Sequence, residues 1–288
     1  MQDKPDKLDK PDTAPSPAAP DPPGPEREGQ DEIEASKAPL MDHLIELRQR
    51  LIYALIGIGI GFAACFAFAT HIYYILLWPY QIARGSEKVS MIFTAPHEFF
   101  FTKLKLALFG AVFLAFPLIA LQVYKFVAPG LYKNEQQAFR PYLVATFLLF
   151  MLGALVVYFV VMPLALMFFI SGEWKEGPVE IRLEARVSEY LSLIMSLILG
   201  FGIMFQLPVL LTLLAQAGII GGEQLRQFRR YAIVGITGLA AVLSPPDPFS
   251  MVAMALPTLL LYEAAILAVD QVEKRRAKAE TATPAPAE

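Results

Sequence analysis

The chain has 288 residues, of which 56% are hydrophobic and 18% charged, with a formal net charge of −3 and a mean hydropathy of +0.48. The apolar residues fall in long continuous runs with the charges between them, which argues against an ordinary soluble domain and for membrane-spanning helices of about 20 residues each. No basic face of the kind that nucleic acid requires is visible, and no nucleic-acid partner is expected.

Residues 1–38 come first. They carry Asp3, Asp6, Asp9, Asp12, Asp21, Glu26, Glu28, Asp31, Glu32 and Glu34 against Lys4, Lys7, Lys10, Arg27 and Lys37, a balance of −5 that leaves +2 for the rest. With many prolines and few large apolar groups, this stretch buries too little surface to offset its ordering entropy. It reads as a disordered, acidic, Pro-rich cytoplasmic tail, either a spacer or a docking arm. No apolar core of a cleavable signal peptide is visible in it. A six-helix transmembrane domain is expected over 39–272, and a second disordered tail over 273–288.

Six apolar runs follow, at about Leu51–Ala69, Leu106–Val127, Tyr142–Phe169, Tyr190–Ala217, Tyr231–Leu243 and Met251–Val269. Pro117, Pro163, Pro208 and Pro257 lie within four of them. Each removes a backbone hydrogen bond and kinks its helix, which membranes tolerate where neighbouring helices re-satisfy the backbone. The fold class is therefore all-α: a kinked, concave bundle of six transmembrane helices. Its fifth and sixth helices are expected to be short. Thirteen residues in the fifth rise only ~20 Å against a hydrocarbon core of ~30 Å, so the bilayer thins there or the last two runs form a shallow hairpin. Ser244-Pro245-Pro246-Asp247-Pro248 between them is a strong helix stop.

Lysine and arginine set the orientation. One set of connections holds Lys37, Arg48, Arg50, Lys125, Lys133, Arg140, Arg226, Arg229, Arg230, Lys274, Arg275, Arg276 and Lys278. The other holds Arg84, Lys88, Lys103, Lys105, Lys175, Arg182 and Arg186. Both termini are accordingly expected in the cytoplasm, with longer outer loops near 70–104 and 171–188.

Catalytic signatures are absent from the sequence, so neither enzyme activity nor a cofactor is expected. His43, His71 and His97 are too scattered for a metal site, and Cys65, alone in an apolar run, reads as a small membrane-helix hydrophobe. Two inner-face segments stand out. In His43-Leu44-Ile45-Glu46-Leu47-Arg48-Gln49-Arg50, a helix puts Leu44, Leu47 and Leu51 on one stripe and Glu46 and Arg50 on another face. In Phe126-Val127-Ala128-Pro129-Gly130-Leu131-Tyr132-Lys133-Asn134-Glu135, Pro129-Gly130 forces a turn. Each alone is explained equally by an ordinary lead-in or interfacial loop. Together they bring two glutamates, Glu46 and Glu135, to one membrane face. A carboxylate suits a guanidinium bidentately, so the pair fits a ligand with two arginines. A small secondary transporter is the competing reading, but six spans show no inverted duplication.

These two segments resemble the N-terminal signature and first cytoplasmic loop of the TatC family. Ser244-Pro245-Pro246-Asp247-Pro248-Phe249-Ser250 is similar to that family's last turn. Tyr158 to Leu164 and Phe201 to Val209 are similar to its third and fourth helices. The resemblance implies a receptor and core subunit of the twin-arginine (Sec-independent) translocase in the bacterial inner membrane. It implies recognition of twin-arginine signal peptides on folded precursors, oligomeric assembly with TatA- and TatB-type single-span partners among membrane lipids, and transport driven by the proton-motive force. Glu46, Arg48, Arg50, Phe126 and Glu135 match positions for signal-peptide recognition. Pro79, after Trp78, matches a functional outer-loop proline, and Asp247 the carboxylate of the last turn. Gln206 stands where some members carry glutamate. It is neutral at every pH, and a partner-helix contact or packing in the bundle explains it equally.

Overall fold

The computed structural model describes residues 25–85, 90–127, 139–173, 183–244 and 247–282. The chain divides at Glu46 into a small N-terminal unit and a large one, Leu47–Glu288, which holds the packed core. Helix α1 runs Pro25–Ala67, so its first turns occupy part of the stretch that composition assigns to a tail. There follow α2 (Ala69–Arg84), β1 (Met91–Ile92), α3 (Glu98–Val127), α4 (Phe139–Val156), a π-helical turn (Val157–Val161), α5 (Met162–Ser171) and β2 (Ala185–Arg186). The chain closes with α6 (Val187–Met204), α7 (Leu207–Gln216), α8 (Gly222–Gln227), α9 (Arg229–Leu243) and α10 (Pro248–Ala282).

Among the described residues, five stretches are long and apolar enough to cross a membrane: Leu44–Ala67, Glu98–Phe126, Pro141–Ser171, Val187–Gln216 and Pro248–Lys274. The sixth crossing element, α9, has 15 residues and a length of ~22 Å, short as expected. The last helix corrects the expectation of a short one. Its 35 residues run far past the apolar core, because Asp270, Gln271, Glu273 and Lys274 are polar yet compatible with helix, and only hydropathy had set the boundary. A second correction concerns the first outer loop. Fifteen of its residues, 70–84, form all but the first of α2 (Ala69–Arg84), whose apolar run Ile72–Trp78 is too short to read as a span.

The proline kinks take different forms. Pro163 offers no N–H to the carbonyl of Phe159, and the preceding turn widens into the π-helix Val157–Val161. Pro208 breaks the fourth span outright: α6 ends at Met204, Phe205 and Gln206 turn, and α7 resumes with the proline in its first turn. Pro117 and Pro257 lie inside continuous helices.

Helix α6 is the centre of the large unit. Leu191, Ile194, Leu197 and Phe201 are fully buried, against Phe150, Val157, Val161, Met162, Met254 and Ile266 from neighbouring helices. Glycines let backbones meet. A Cβ on Gly153 would lie 2.9 Å from the Phe201 carbonyl oxygen, and one on Gly202 would collide with the Phe150 ring. This is the small-residue crossing by which membrane helices pack without a hydrophobic driving force. Outward, Leu55, Ile60, Leu114, Val234, Val242 and Leu260 stand exposed, as lipid-facing positions should.

The side of the bundle bearing α2 carries a tied cap. β1 and β2 pair in parallel, Met91 with Ala185 and Ile92 with Arg186. Tyr190 donates its hydroxyl to the Leu76 carbonyl at 2.7 Å, and Tyr158 donates to that of Ile75 at 2.7 Å. Arg84 lies 2.7 Å from the Glu173 carboxylate and donates to the Leu183 carbonyl at 2.5 Å, while Leu183 N–H donates back to Glu173 at 2.9 Å. Burial works against the charge on Arg84, but the Tyr80 hydroxyl and Glu173 outweigh it and raise the guanidinium pKa. Both side chains of the pair are largely buried, at 11% and 6% exposure. Arg84→Leu strands Glu173 and is expected to cost about 2–3 kcal/mol, below the full figure for a deeply buried charge because the site borders water. The thermal midpoint of the purified protein checks it.

Candidate functional site

The candidate residues sort into three places. At the start of the first span, Glu46 is half-buried two residues in, Arg48 is exposed and Arg50 half-buried. The leucine stripe expected beside them, Leu44, Leu47 and Leu51, is exposed. Phe126, half-buried, closes the second span one residue after Lys125. Glu135 lies outside the described residues, and with it the expected pairing of two carboxylates. Just before Phe126, Gln122 is buried with its side-chain oxygen unpartnered among the described residues, and the Tyr124 hydroxyl meets the Thr146 hydroxyl at 3.0 Å inside the bundle.

The second place is the broken span. Gln206 donates from Nε2 to the Thr146 carbonyl at 3.1 Å and the Gly202 carbonyl at 3.2 Å. Both partners are pure acceptors, so the amide's orientation is set by chemistry: nitrogen toward the carbonyls, oxygen away. That oxygen is buried without a partner among the described residues. Gln206 therefore ties α4 to the break between α6 and α7, and it keeps one acceptor unused. Packing within the bundle accounts for its nitrogen and leaves its oxygen unexplained.

The third place is the side carrying α2 and the turn before α10. Pro79 is buried within α2. Its neighbour Trp78 stacks on Tyr158 at 5.5 Å with planes 1° apart, and meets the edge of Phe159 at 5.5 Å. The proline thus sits where α2 is fastened to the π-helical turn. Asp247 is buried and caps α10: its Oδ1 accepts the Ser250 N–H at 2.6 Å. Its Oδ2 and the hydroxyls of Ser244 and Ser250 are buried without a partner among the described residues. Asp247 thus has a local structural task whatever else it does.

Polar residues that sequence reasoning counted only for topology, or passed over, hold much of the frame. Glu98, at the head of α3, accepts hydrogen bonds from the Thr94 N–H at 2.9 Å and the Ser188 hydroxyl at 2.5 Å. Glu263, in the last span, lies 2.7 Å from Arg229. Arg226 pairs with Asp270, and the Gly222 N–H donates to Glu273 at 3.1 Å, so α8 is strapped to the C-terminal part of α10. No group of three or more metal-binding side chains occurs among the described residues.

Comparison with known proteins agrees with this architecture. Residues 42–257 match the family model of TatC, described as Sec-independent protein translocase protein. A Sec-independent protein translocase protein TatC from Magnetococcus marinus is 42% identical over 246 residues, covering 85% of this chain and 89% of the relative. That from Escherichia coli is 37% identical over 227 residues, covering 78% and 85%. A crystal structure of a twin arginine translocase receptor, TatC, matches with a TM-score of 0.70 at 38% identity, covering 80% of this chain and 99% of that one. With a family match over most of its length and the same helical membrane architecture, the chain is a multi-pass membrane protein that belongs to the TatC family of Sec-independent protein translocase proteins.

Proposed function

We propose that the chain is the receptor and core subunit of a twin-arginine translocase, resident in the bacterial inner membrane with both termini in the cytoplasm. The observation that carries this reading is its likeness, at 38% identity, to a solved twin arginine translocase receptor of which it covers 99%. Two crossings, Leu44–Ala67 and Glu98–Phe126, return the chain to the side it started from. An even number of crossings between the segments bearing Glu46 and Glu135 supports one shared face for them, and the lysine and arginine bias supports the cytoplasmic one.

At that face the carboxylates of Glu46 and Glu135 take the two guanidinium groups of the leader. Arg48 and Arg50 hold their segment at headgroup level, and Phe126 offers a ring face to a guanidinium. A Lys-Lys leader keeps the charge and loses the bidentate geometry. The leader's apolar stretch then lies along the bundle. Recruitment of TatA- and TatB-type single-span partners follows, with the proton-motive force supplying the work. A partner-helix contact at Gln206 requires its buried oxygen, unpartnered among the described residues, to be uncovered on assembly. The protein's part in transport is recognition and assembly.

A photoreactive amino acid at position 46 or 135 tests the reading in inner-membrane vesicles. Crosslinks to an Arg-Arg precursor that fall away with its Lys-Lys version are expected. Equal crosslinking of the two precursors would reject arginine recognition at these positions.

A further inference from the structure

Two hollows lie along the same stripe of α3. The upper one, about 280 Å³, is lined by Thr70, Tyr73 and Tyr74 of α2 and by Thr102, Lys103 and Leu106 of α3. The lower one, about 440 Å³, runs between the end of α1, α2, α3 and the α4–π segment. Cys65, Ile72, Gly110, Leu114, Ala154 and Tyr158 are among its walls, which are apolar throughout. Lys103 and Gly110 are seven residues apart, two turns and ~10 Å along the helix on the same face. The second span is 29 residues long, against about 20 needed for the hydrocarbon core. Lys103, five residues from its outer end, therefore sits at headgroup level and Gly110 among the acyl chains.

The upper hollow presents one cation among mostly apolar walls, Phe93, Phe99 and Val187 included. The Lys103 ammonium lies 4.8 Å from the centre of the Phe66 ring, and no acidic side chain pairs with it among the described residues. Two tyrosines and two threonines around it offer hydroxyl donors. A soluble anion would make no use of the apolar trough two turns deeper. A molecule with a phosphate at one end and a hydrocarbon chain at the other fits both. We propose that an anionic phospholipid of the outer leaflet binds here, its phosphate at Lys103 and an acyl chain in the trough beside Gly110. Held there, the lipid fills the space between α2 and the α3–α4 pair, beside the Tyr158 that anchors the α2 cap.

Native mass spectrometry of the full chain, with an equimolar mixture of dioleoylphosphatidylglycerol and dioleoylphosphatidylcholine, tests this. The wild type should retain phosphatidylglycerol about fivefold better, the worth of one lysine against an anionic headgroup. Lys103→Gln should retain both lipids alike, and Lys103→Arg should restore the preference. Leu114→Trp fills the trough at an exposed position and should lower retention of both lipids. Equal retention by the wild type, an undiminished preference in Lys103→Gln, or unchanged retention in Leu114→Trp would overturn the proposal. So would glycerol 1-phosphate displacing the phospholipid, which would mark a site for soluble anions.

Discussion

Replacing Glu46 and Glu135 together by alanine is expected to weaken binding of a twin-arginine leader peptide by at least about a hundredfold. On the proposed reading, each carboxylate would contribute charge-assisted hydrogen bonds of about 1.5–3 kcal/mol to a guanidinium. Two such contacts amount to about 3–6 kcal/mol, and each 1.4 kcal/mol is a factor of about ten in affinity. The single variants should each lose about tenfold or more. Glutamine at either position should fall between, because it keeps one acceptor and loses the charge. Fluorescence anisotropy with a labelled leader and the detergent-purified chain measures this directly. A Lys-Lys leader is the internal control: its weaker binding should change little on substitution. If the double variant bound the Arg-Arg leader as the wild type does, these glutamates would have no part in recognition. Glu46 is half-buried, so the thermal midpoint of each variant should be read beside its affinity. A loss of affinity without a loss of stability assigns the effect to the ligand.

The second large effect is expected at the crossing of α4 and α6. Gly153→Val places a branched side chain where even a Cβ would lie 2.9 Å from the Phe201 carbonyl oxygen and 3.0 Å from its carbon. These neighbours are backbone atoms and cannot swing aside, so the helices must part. Parting them loosens the stack of Phe150 on Phe116, whose ring centres are 3.6 Å apart, and unseats the fully buried Phe201. The cost should reach about 3 kcal/mol, the upper end of overpacking penalties in well-packed interiors. Gly59→Ala and Gly238→Ala make a sharp contrast. Nothing lies within 4 Å of the Cβ either would add, so both should be neutral or slightly stabilising through better helix propensity. Thermal unfolding of the three variants in detergent separates the cases. A Gly153→Val protein as stable as the wild type would mean that the crossing is not close-packed.

Apolar runs made most of the fold readable in the sequence. The runs located the long spans and the short α9, and the internal prolines marked the break at Pro208 and the widened turn before Pro163. The last helix was misjudged because hydropathy reports where lipid ends, whereas helix continues wherever backbone and side chains permit. The α2 helix was hidden for a different reason: its apolar run, Ile72–Trp78, is only seven residues long and is followed at once by Pro79, far short of a span. Pairings distant in sequence left no trace at all. Glu98 meets Ser188 ninety residues away, and nothing in either neighbourhood announces the other. Of the candidate site, the residue types could be read but not the surroundings. Gln206 showed itself as an amide at depth, yet only its two carbonyl partners reveal which end remains free. Asp247 showed itself in a proline-rich turn, and the structure adds that it caps the helix that follows.

The brevity of α9 has an electrical consequence. Its 15 residues bridge ~22 Å, whereas α10 beside it continues well beyond, with α8 strapped along its C-terminal part by Arg226 and Asp270. Where the bilayer follows the shorter element, the insulating layer narrows on that flank from ~30 Å toward ~22 Å. The same membrane voltage then drops over a shorter path, and the local field there is about one-third stronger than elsewhere. A charged segment held against this flank feels a steeper pull per ångström than one crossing the undisturbed bilayer.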